Sequence, residues 1–411
     1  MRDTWDSFVK FFVSLRVTVV LLALSIILIF AATLDQVNLG IWAVQEKYFR
    51  TFFVLWNVKG FPVPVFPGGY FIGGLLLINL VASHLYRFKL TWKKAGITLT
   101  HAGLIVLLVG ELLTGLWQEE YQLRLDQGQT RNYSESYRFN ELAVIDATDP
   151  QFDQVVAIPE ERLQDRAEIQ HEKLPFRIVT RAYYPNAAVQ MREQLGNTSA
   201  PPPATRDIGA KLAIVPLPLT YKQNERNLPA AVVELLGPSN VSLGTWVVST
   251  MLVQPQTFDY AGRTWRLAMR FERAYKPYSL TLLKFSHDRY VGTEIPKNFA
   301  SKVRLHSADG STDREVLIYM NNPLRYDGLT FYQAGFDNND TTTVLQVVRN
   351  PSWILPYIAC FMMGVGLLAQ FGIHLFAFAN KRRAKINFSN KQKLIKDGIN
   401  SRPYDPGTID I

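Results

Sequence analysis

Cysteine and charged residues are scarce in this sequence of 411 residues. The single cysteine, Cys360, excludes an intrachain disulfide, a CxxC redox pair and a CxxCH haem-attachment motif. Only 19% of the residues are charged, compared with about a quarter in an ordinary soluble protein. Because 48% of the residues are apolar, the composition also excludes intrinsic disorder. The charge is missing mainly from four stretches, which predicts an integral membrane protein with one soluble domain.

Four stretches are long and apolar enough to cross a bilayer as α-helices, which takes about 20 residues. The predicted spans are residues 17–34, 68–86, 95–117 and 351–379. Buried helices of a large soluble domain are the alternative, but such helices rarely stay uncharged for so long. The first span could also be a signal peptide cleaved near Ala31-Ala32-Thr33. Its apolar core is longer than that of most signal peptides, so an uncleaved anchor is the preferred interpretation.

The basic residues predict the orientation of these spans, because flanks rich in Lys and Arg normally stay in the cytoplasm. The link 87–94 contains four basic residues and no acid, and the tail 380–411 opens with Lys381-Arg382-Arg383. We therefore expect residues 1–16, the link 87–94 and the tail to be cytoplasmic. The loop 35–67 and the large domain 118–350 are then periplasmic or otherwise extracytoplasmic. The expected location is the inner (cytoplasmic) membrane, with both termini cytoplasmic.

The net charge of +9 follows from the same basic flanks. A basic protein can bind nucleic acid, but here the charge is concentrated where it orients the spans and contacts lipid headgroups. We therefore expect no nucleic-acid partner.

The domain 118–350 has the alternating apolar and polar pattern of strands. Two similar segments, Tyr260–Trp265 and Tyr326–Phe331, each place a glycine at a predicted tight turn. The pattern predicts an antiparallel β domain, either a sandwich or barrel-like, with residues 196–206 as a proline-rich loop. The domain has no recognisable catalytic or metal-binding motif, and its three histidines, at positions 171, 287 and 306, are isolated. We predict no catalytic residue, and expect this domain to provide a binding surface.

Histidines 84, 101 and 374 are the candidate cofactor ligands, because ionisable residues inside membrane spans are costly and usually functional. His84 and His101 flank the link between spans two and three at nearly equal distances, and His374 lies near the cytoplasmic end of span four. All three should lie at a similar depth. Imidazole is a common axial ligand of haem iron, so His84 and His101 are candidates for binding haem between two helices, with His374 a weaker candidate. The alternative is that each histidine only bonds a neighbouring carbonyl.

Two other features of the spans leave alternatives open. Gly96, Gly103 and Gly110 recur every seven residues, which suits close helix packing and also the wall of a site for a flat ligand. Glu111 could bond a neighbouring helix of this chain or mark the contact with a second membrane protein.

Four segments together resemble the ResB, or CcsB, family of cytochrome c biogenesis proteins. They are the first span from Ser14-Leu15-Arg16 to Leu34-Asp35-Gln36, HAGLIVLLVGELLTG at 101–115, NNPLRYDGLTFYQAGFD at 321–337 and VLQVVRNPSWILPYIA at 344–359. No single motif is exclusive to that family. Their order, with three spans, a large outer domain and a fourth span, is specific.

The resemblance implies a subunit that helps to deliver haem b, bound transiently, across the membrane and presents apocytochrome c for covalent haem attachment. The implied partner is a ResC/CcsA-type multi-span protein, which carries the tryptophan-rich haem-handling motif that this chain lacks. The implied role is accessory to a cytochrome c haem lyase (synthase). The resemblance also associates haem with a transmembrane histidine, for which His84 and His101 are the candidates. The alternative function is a scaffolding membrane protein that binds no haem and whose outer domain stabilises another complex.

Overall fold

The computed structural model describes residues 9–86, 91–195, 203–220, 226–293, 296–337 and 341–400, and these form two compact units. The first, the helical unit, takes in the chain up to residue 30, residues 47–116 and the chain from residue 352. The second, the β unit, consists of residues 31–46 and 117–351. The helices are α1 (Leu15–Val44), α2 (Gly69–Tyr86), α3 (Ala95–Trp117), α4 (Glu160–Gln164) and α5 (Leu355–Asn400).

The helices α1, α2, α3 and α5 are each long and apolar enough to cross a membrane, as predicted. Two of them differ from the predicted limits. Helix α1 continues into the segment expected to be a loop, bends at Gly40, where φ is 71°, and ends in a π-helical turn, Gln45–Phe49. A short hairpin, β1 (Phe53–Val58) and β2 (Phe61–Pro67), then leads to α2.

Helix α5 likewise continues through most of the predicted basic tail. Lysine and arginine are good helix formers, and no proline follows before Pro403. Residues 1–8, 87–90 and 401–411, which belong to the predicted cytoplasmic segments, lie outside the described residues.

Helices α1 and α2 are joined by the buried side chain of Asn79. The helical path is interrupted just before α1, at Ser14. The Asn79 amide nitrogen donates to the backbone carbonyls of Phe12 (2.6 Å) and Ser14 (3.2 Å), and its oxygen accepts from the Thr18 hydroxyl (2.7 Å). Asn79 therefore satisfies backbone carbonyls that the interrupted helix leaves without intrahelical partners. Apolar side chains continue the contact, among them Leu21, Leu28 and Ile72.

We expect Asn79→Leu to destabilise the helical unit by about 1–2 kcal/mol, because three hydrogen bonds inside the membrane are lost. The measurement is thermal unfolding of the purified full chain in detergent. Ile78→Leu, which changes the neighbouring exposed side chain, is the control and should leave the unfolding temperature unchanged. Equal stability of the two variants would contradict the assigned role of Asn79.

Helices α3 and α5 pack through glycine. A Cβ added at Gly96 would lie 2.5 Å from the carbonyl oxygen of Gly366, and one added at Gly366 would lie 2.8 Å from the carbonyl oxygen of Gly96. At Gly103, an added Cβ would lie 2.7 Å from Cγ of Met363. Because these positions face another helix at backbone distance, the seven-residue glycine pattern of α3 serves helix packing.

The β unit is antiparallel and has one large sheet, in the spatial order β14-β13-β12-β4-β3-β17-β16-β15, with β5 beside β4 and β11 beside β12. A three-stranded sheet, β10-β9-β6, and the hairpin β7-β8 complete the described strands. The strands are β3 (Glu119–Asp126), β4 (Thr130–Asp146), β5 (Gln154–Pro159), β6 (Arg177–Tyr184), β7 (Ala187–Met191), β8 (Leu212–Pro216), β9 (Ala230–Leu236), β10 (Ser242–Ser249), β11 (Gln256–Tyr260), β12 (Arg263–Arg289), β13 (Pro296–Ser307), β14 (Asp313–Tyr319), β15 (Leu324–Tyr326), β16 (Leu329–Asp337) and β17 (Thr342–Arg349).

The β unit has two hydrophobic cores. The first surrounds Trp265 and lies between the three-stranded sheet and the end of the large sheet formed by β5, β4 and the first half of β12. The second surrounds Phe331, where the rest of the large sheet curls so that its edges approach at the bridge Tyr319–Asn322. The long strand β12 contributes to both cores. The prediction of an antiparallel sandwich or barrel-like domain is confirmed, because the first core is a sandwich and the second is nearly a barrel.

Both predicted tight turns are present. Tyr260 pairs with Arg263, and Tyr326 pairs with Leu329, so each turn has two central residues. Those residues, Ala261-Gly262 and Asp327-Gly328, all have positive φ angles between 51° and 72°. This is the type I′ geometry that suits a two-residue hairpin loop. Of the predicted loop 196–206, residues 196–202 lie outside the described part of the chain.

Candidate functional site

The structure brings His84 of α2 and His101 of α3 together. Their ring centroids lie 6.1 Å apart, and the planes of the rings meet at 66°. Both side chains are half-buried. Rings this close lie at one depth in the helix pair, as the sequence predicts, and they also face each other.

The contact follows from the antiparallel arrangement of α2 and α3. At the opposite end of the helix pair, the hydroxyl of Tyr70 lies 3.9 Å from where a Cβ of Gly115 would be. Tyr70 and His84 are fourteen residues apart along α2, and His101 and Gly115 are fourteen apart along α3. Each interval is roughly 21 Å of helix, so the two contacts set one consistent register.

The 6.1 Å between the ring centres is an ordinary distance for an edge-to-face ring contact, and it is also the separation that two imidazoles bound to one metal ion would have. A metal–imidazole nitrogen bond is about 2 Å long, and the centre of the ring lies about 1 Å further, so two imidazoles on opposite sides of one ion have centres about 6 Å apart. No other strong ligand accompanies them, since the described residues contain no group of three or more His, Cys, Asp or Glu that could hold a metal ion. Two imidazoles alone suit an iron whose remaining ligands come from a macrocycle.

His374 has a different environment from the histidine pair. Its Nε2 lies 2.9 Å from Nε2 of Gln370, one turn earlier on α5. Gln370 in turn donates to the carbonyl of Lys93 (3.3 Å) and accepts from the backbone N–H of Ile97 (3.3 Å). His374 thus extends a polar contact at the start of α3, which supports the structural interpretation that the sequence left open for it.

The glycines of α3 do not line the histidine pair. Gly96 and Gly103 face α5, and an added Cβ at Gly110 would lie 3.0 Å from Leu355, also on α5. Of the two alternatives for this pattern, helix packing is therefore the one that the structure supports. On α2, by contrast, added Cβ atoms at Gly73 and Gly74 would meet no atom within 4 Å.

The three histidines of the β unit are separate from one another. Nδ1 of His171 accepts from the backbone N–H of Lys173 (3.2 Å), and His306 lies 3.6 Å from the Asp313 carboxylate. The ring of His287 packs on Phe336, with centroids 4.3 Å apart. The contacts of His171 and His306 agree with the interpretation that these are surface or hydrogen-bonded histidines, whereas His287 is half-buried against aromatic rings.

The β unit contains a cleft of about 380 Å³ that the sequence does not predict. Trp42, from the last part of α1, forms one wall, and the guanidinium of Arg138 stacks 3.9 Å from its ring. The rest of the lining comes from β3, β4, β16 and β17, including Tyr121, Tyr137 and Phe336. Residues so distant in sequence carry no local pattern, so only the fold shows this aromatic lining.

Lys276 is a second feature that the sequence did not reveal. Its amine donates to the Ser134 hydroxyl (2.6 Å) and the Ala274 carbonyl (3.0 Å). Burial lowers the pKa of Lys276 to about 8. The lysine lies where β12 bulges between Tyr275 and Leu280, a register shift that strand alternation does not predict.

The part of the β unit from β9 to β17 matches a known protein family. Residues 230–344 match the family model described as ResB-like family. The resemblance to the ResB family is confirmed. Protein NrfI of Wolinella succinogenes is 33% identical to this chain over 92 residues, which is 22% of this chain and 10% of NrfI. The match thus spans about a tenth of that relative.

Proposed function

We propose that this chain is the haem-handling membrane subunit of a cytochrome c maturation system. The observation that carries the proposal is the pair of imidazoles, His84 and His101, held 6.1 Å apart between two membrane helices. The ResB-like match of the β unit gives the process in which such a site would act.

In this proposal, His84 and His101 would hold the haem iron. Haem supplies the group that is later attached to the apocytochrome, and the chain itself binds and orients it. Lys93 and Lys94 immediately precede α3 and are exposed. Lys94 is seven residues before His101, roughly 10 Å along the chain axis, so the lysines can neutralise haem propionates at the membrane surface. The apolar helices keep bulk water from the iron.

The β unit presents apocytochrome c in this scheme, and a ResC/CcsA-type protein receives the haem. The cleft beside Trp42 offers aromatic side chains and amides to an extended peptide. No catalytic group of the β unit is needed, because the chain binds its two substrates while the partner protein completes the attachment.

The absorption spectrum of the purified full chain tests the haem proposal. We expect a Soret band whose intensity depends on the histidine pair, both alone and with the ResC/CcsA-type partner co-expressed. Persistent absence of haem in both preparations would contradict the proposal and favour the scaffolding function. The control is the His374→Ala variant, which should keep the band, because His374 lies beside Gln370 and not in the ring pair.

The proposed direction of transport requires the histidine pair to lie near the cytoplasmic face. We expect reporter fusions at Trp92 and at the C-terminus to be active only in the cytoplasm, and a fusion at Thr220 only outside. The reason is the one-sided distribution of Lys and Arg. An externally active reporter at Trp92 would reverse the topology and remove the argument that haem enters near His84 and His101.

A further inference from the structure

Glu111 belongs to a stripe of exposed side chains on α3. Between residues 96 and 115 of this helix, the exposed side chains are Ile97, Leu104, Glu111 and Leu112. The first three recur every seven residues and so lie along one side of the helix. The glycine positions of α3 face α5, and His101 faces α2. The stripe of Ile97, Leu104 and Glu111 lies between these two contact sides of α3, next to the side that meets α2.

The carboxylate of Glu111 is poorly placed to reach water. It lies six residues before Trp117, roughly 9 Å inside the end of α3. Helical side chains tilt toward the N-terminus of their helix, which here directs Glu111 further into the membrane. A charged group in that position is costly unless it is paired. Among the residues that the structure describes, none forms a hydrogen bond or ion pair with it.

We propose that the stripe of Ile97, Leu104 and Glu111 binds a transmembrane helix of a different membrane protein, which places a lysine or arginine against Glu111. Seven-residue spacing is the pattern by which one helix packs along another, and the carboxylate specifies a cationic group at one depth. The surface is inferred from α3 alone. It rests on the proposed function only for the expectation that the partner is of the ResC/CcsA type.

A second copy of this chain fits the stripe poorly. Two copies inserted in the same direction and packed through this face would oppose Glu111 to Glu111. The predicted spans contain no lysine or arginine, and His101 lies ten residues, roughly 15 Å, toward the other end of α3. Charge complementarity therefore favours a protein of different sequence.

Site-specific photo-cross-linking in intact membranes tests the proposal. The probe is p-benzoylphenylalanine at position 104 of the full chain, which carries the cross-linker on the stripe without altering Glu111. The same probe at Leu368, an exposed position of α5, is the control. We expect position 104 to give a cross-linked product with one other membrane protein. Adding Glu111→Leu should reduce it about tenfold, and adding Leu112→Ala should leave it unchanged.

Exchange of charges completes the test. Mass spectrometry identifies the cross-linked helix, and a basic residue in it is changed to glutamate together with Glu111→Lys. Restored cross-linking supports the proposal. Cross-linking only to lipid, only to a second copy, or undiminished by Glu111→Leu overturns it. Measuring haem in the same preparations separates the two proposals. His84→Ala should lose haem and keep the cross-link. Glu111→Leu should lose the cross-link and keep haem.

Discussion

Replacing His84 or His101 by alanine is expected to abolish haem co-purification and halt cytochrome c maturation. Each variant removes one of the two imidazoles that face each other 6.1 Å apart, and one remaining axial ligand holds the iron much more weakly. We expect haem content to fall about tenfold or more, which corresponds to about 1.4 kcal/mol or more of binding free energy. The measurements are the Soret absorbance per mole of purified protein and the yield of mature cytochrome c in cells.

Added imidazole distinguishes a lost ligand from a lost packing contact. Free imidazole can occupy the vacated coordination position, so it should partly restore haem binding to His84→Ala and His101→Ala. The matched control is His374→Ala, which should keep its haem because His374 contacts Gln370. Full haem content and normal maturation in both His84→Ala and His101→Ala would show that the histidine pair is not the haem site.

Introducing valine at Gly96 or Gly366 is expected to separate α3 from α5. The added Cβ atoms would lie 2.5–2.8 Å from backbone atoms of the facing helix, which cannot move aside as a side chain can. Overpacking of this kind costs about 3 kcal/mol. We expect the variants to unfold at lower temperature in detergent and to be degraded in cells.

Gly364→Val is the matched control for this pair. It makes the same substitution two residues away on α5, where an added Cβ would meet no atom within 4 Å. Its stability should stay close to that of the wild type. If Gly364→Val and Gly366→Val are equally destabilised, the effect comes from valine in the helix and the close contact between Gly96 and Gly366 is not its cause.

Local sequence signals predicted the parts of this structure that local physics determines. Apolar runs gave the membrane helices, and glycine at Gly262 and Gly328 gave the two type I′ turns. The common depth of His84 and His101 followed from their distances to the link between the two helices. That they face each other could not be predicted, because the rotation of each helix is set by packing against its neighbours.

The residues that could not be predicted from the sequence contact partners that lie far away along the chain. Asn79 is polar but not titratable, and its role depends on an interruption of the helix near Ser14, more than 60 residues earlier. Trp42 and Arg138 stack on each other across almost 100 residues of sequence. No pattern within one segment marks such pairs, since each member looks ordinary in its own surroundings.

The sharing of β12 by both cores of the β unit determines how this unit folds. Trp265 and Leu267, in the first half of β12, belong to one core, whereas Leu280 and Leu282, in its second half, belong to the other. If one core unfolds, its half of β12 becomes disordered and the other core loses the continuation of that strand. We therefore expect the two cores to unfold in one cooperative transition. The family-matched segment 230–344 contains β12 but lacks β4, with which the first half of β12 pairs. Expressed by itself, that segment is expected to expose an unpaired strand, which favours aggregation.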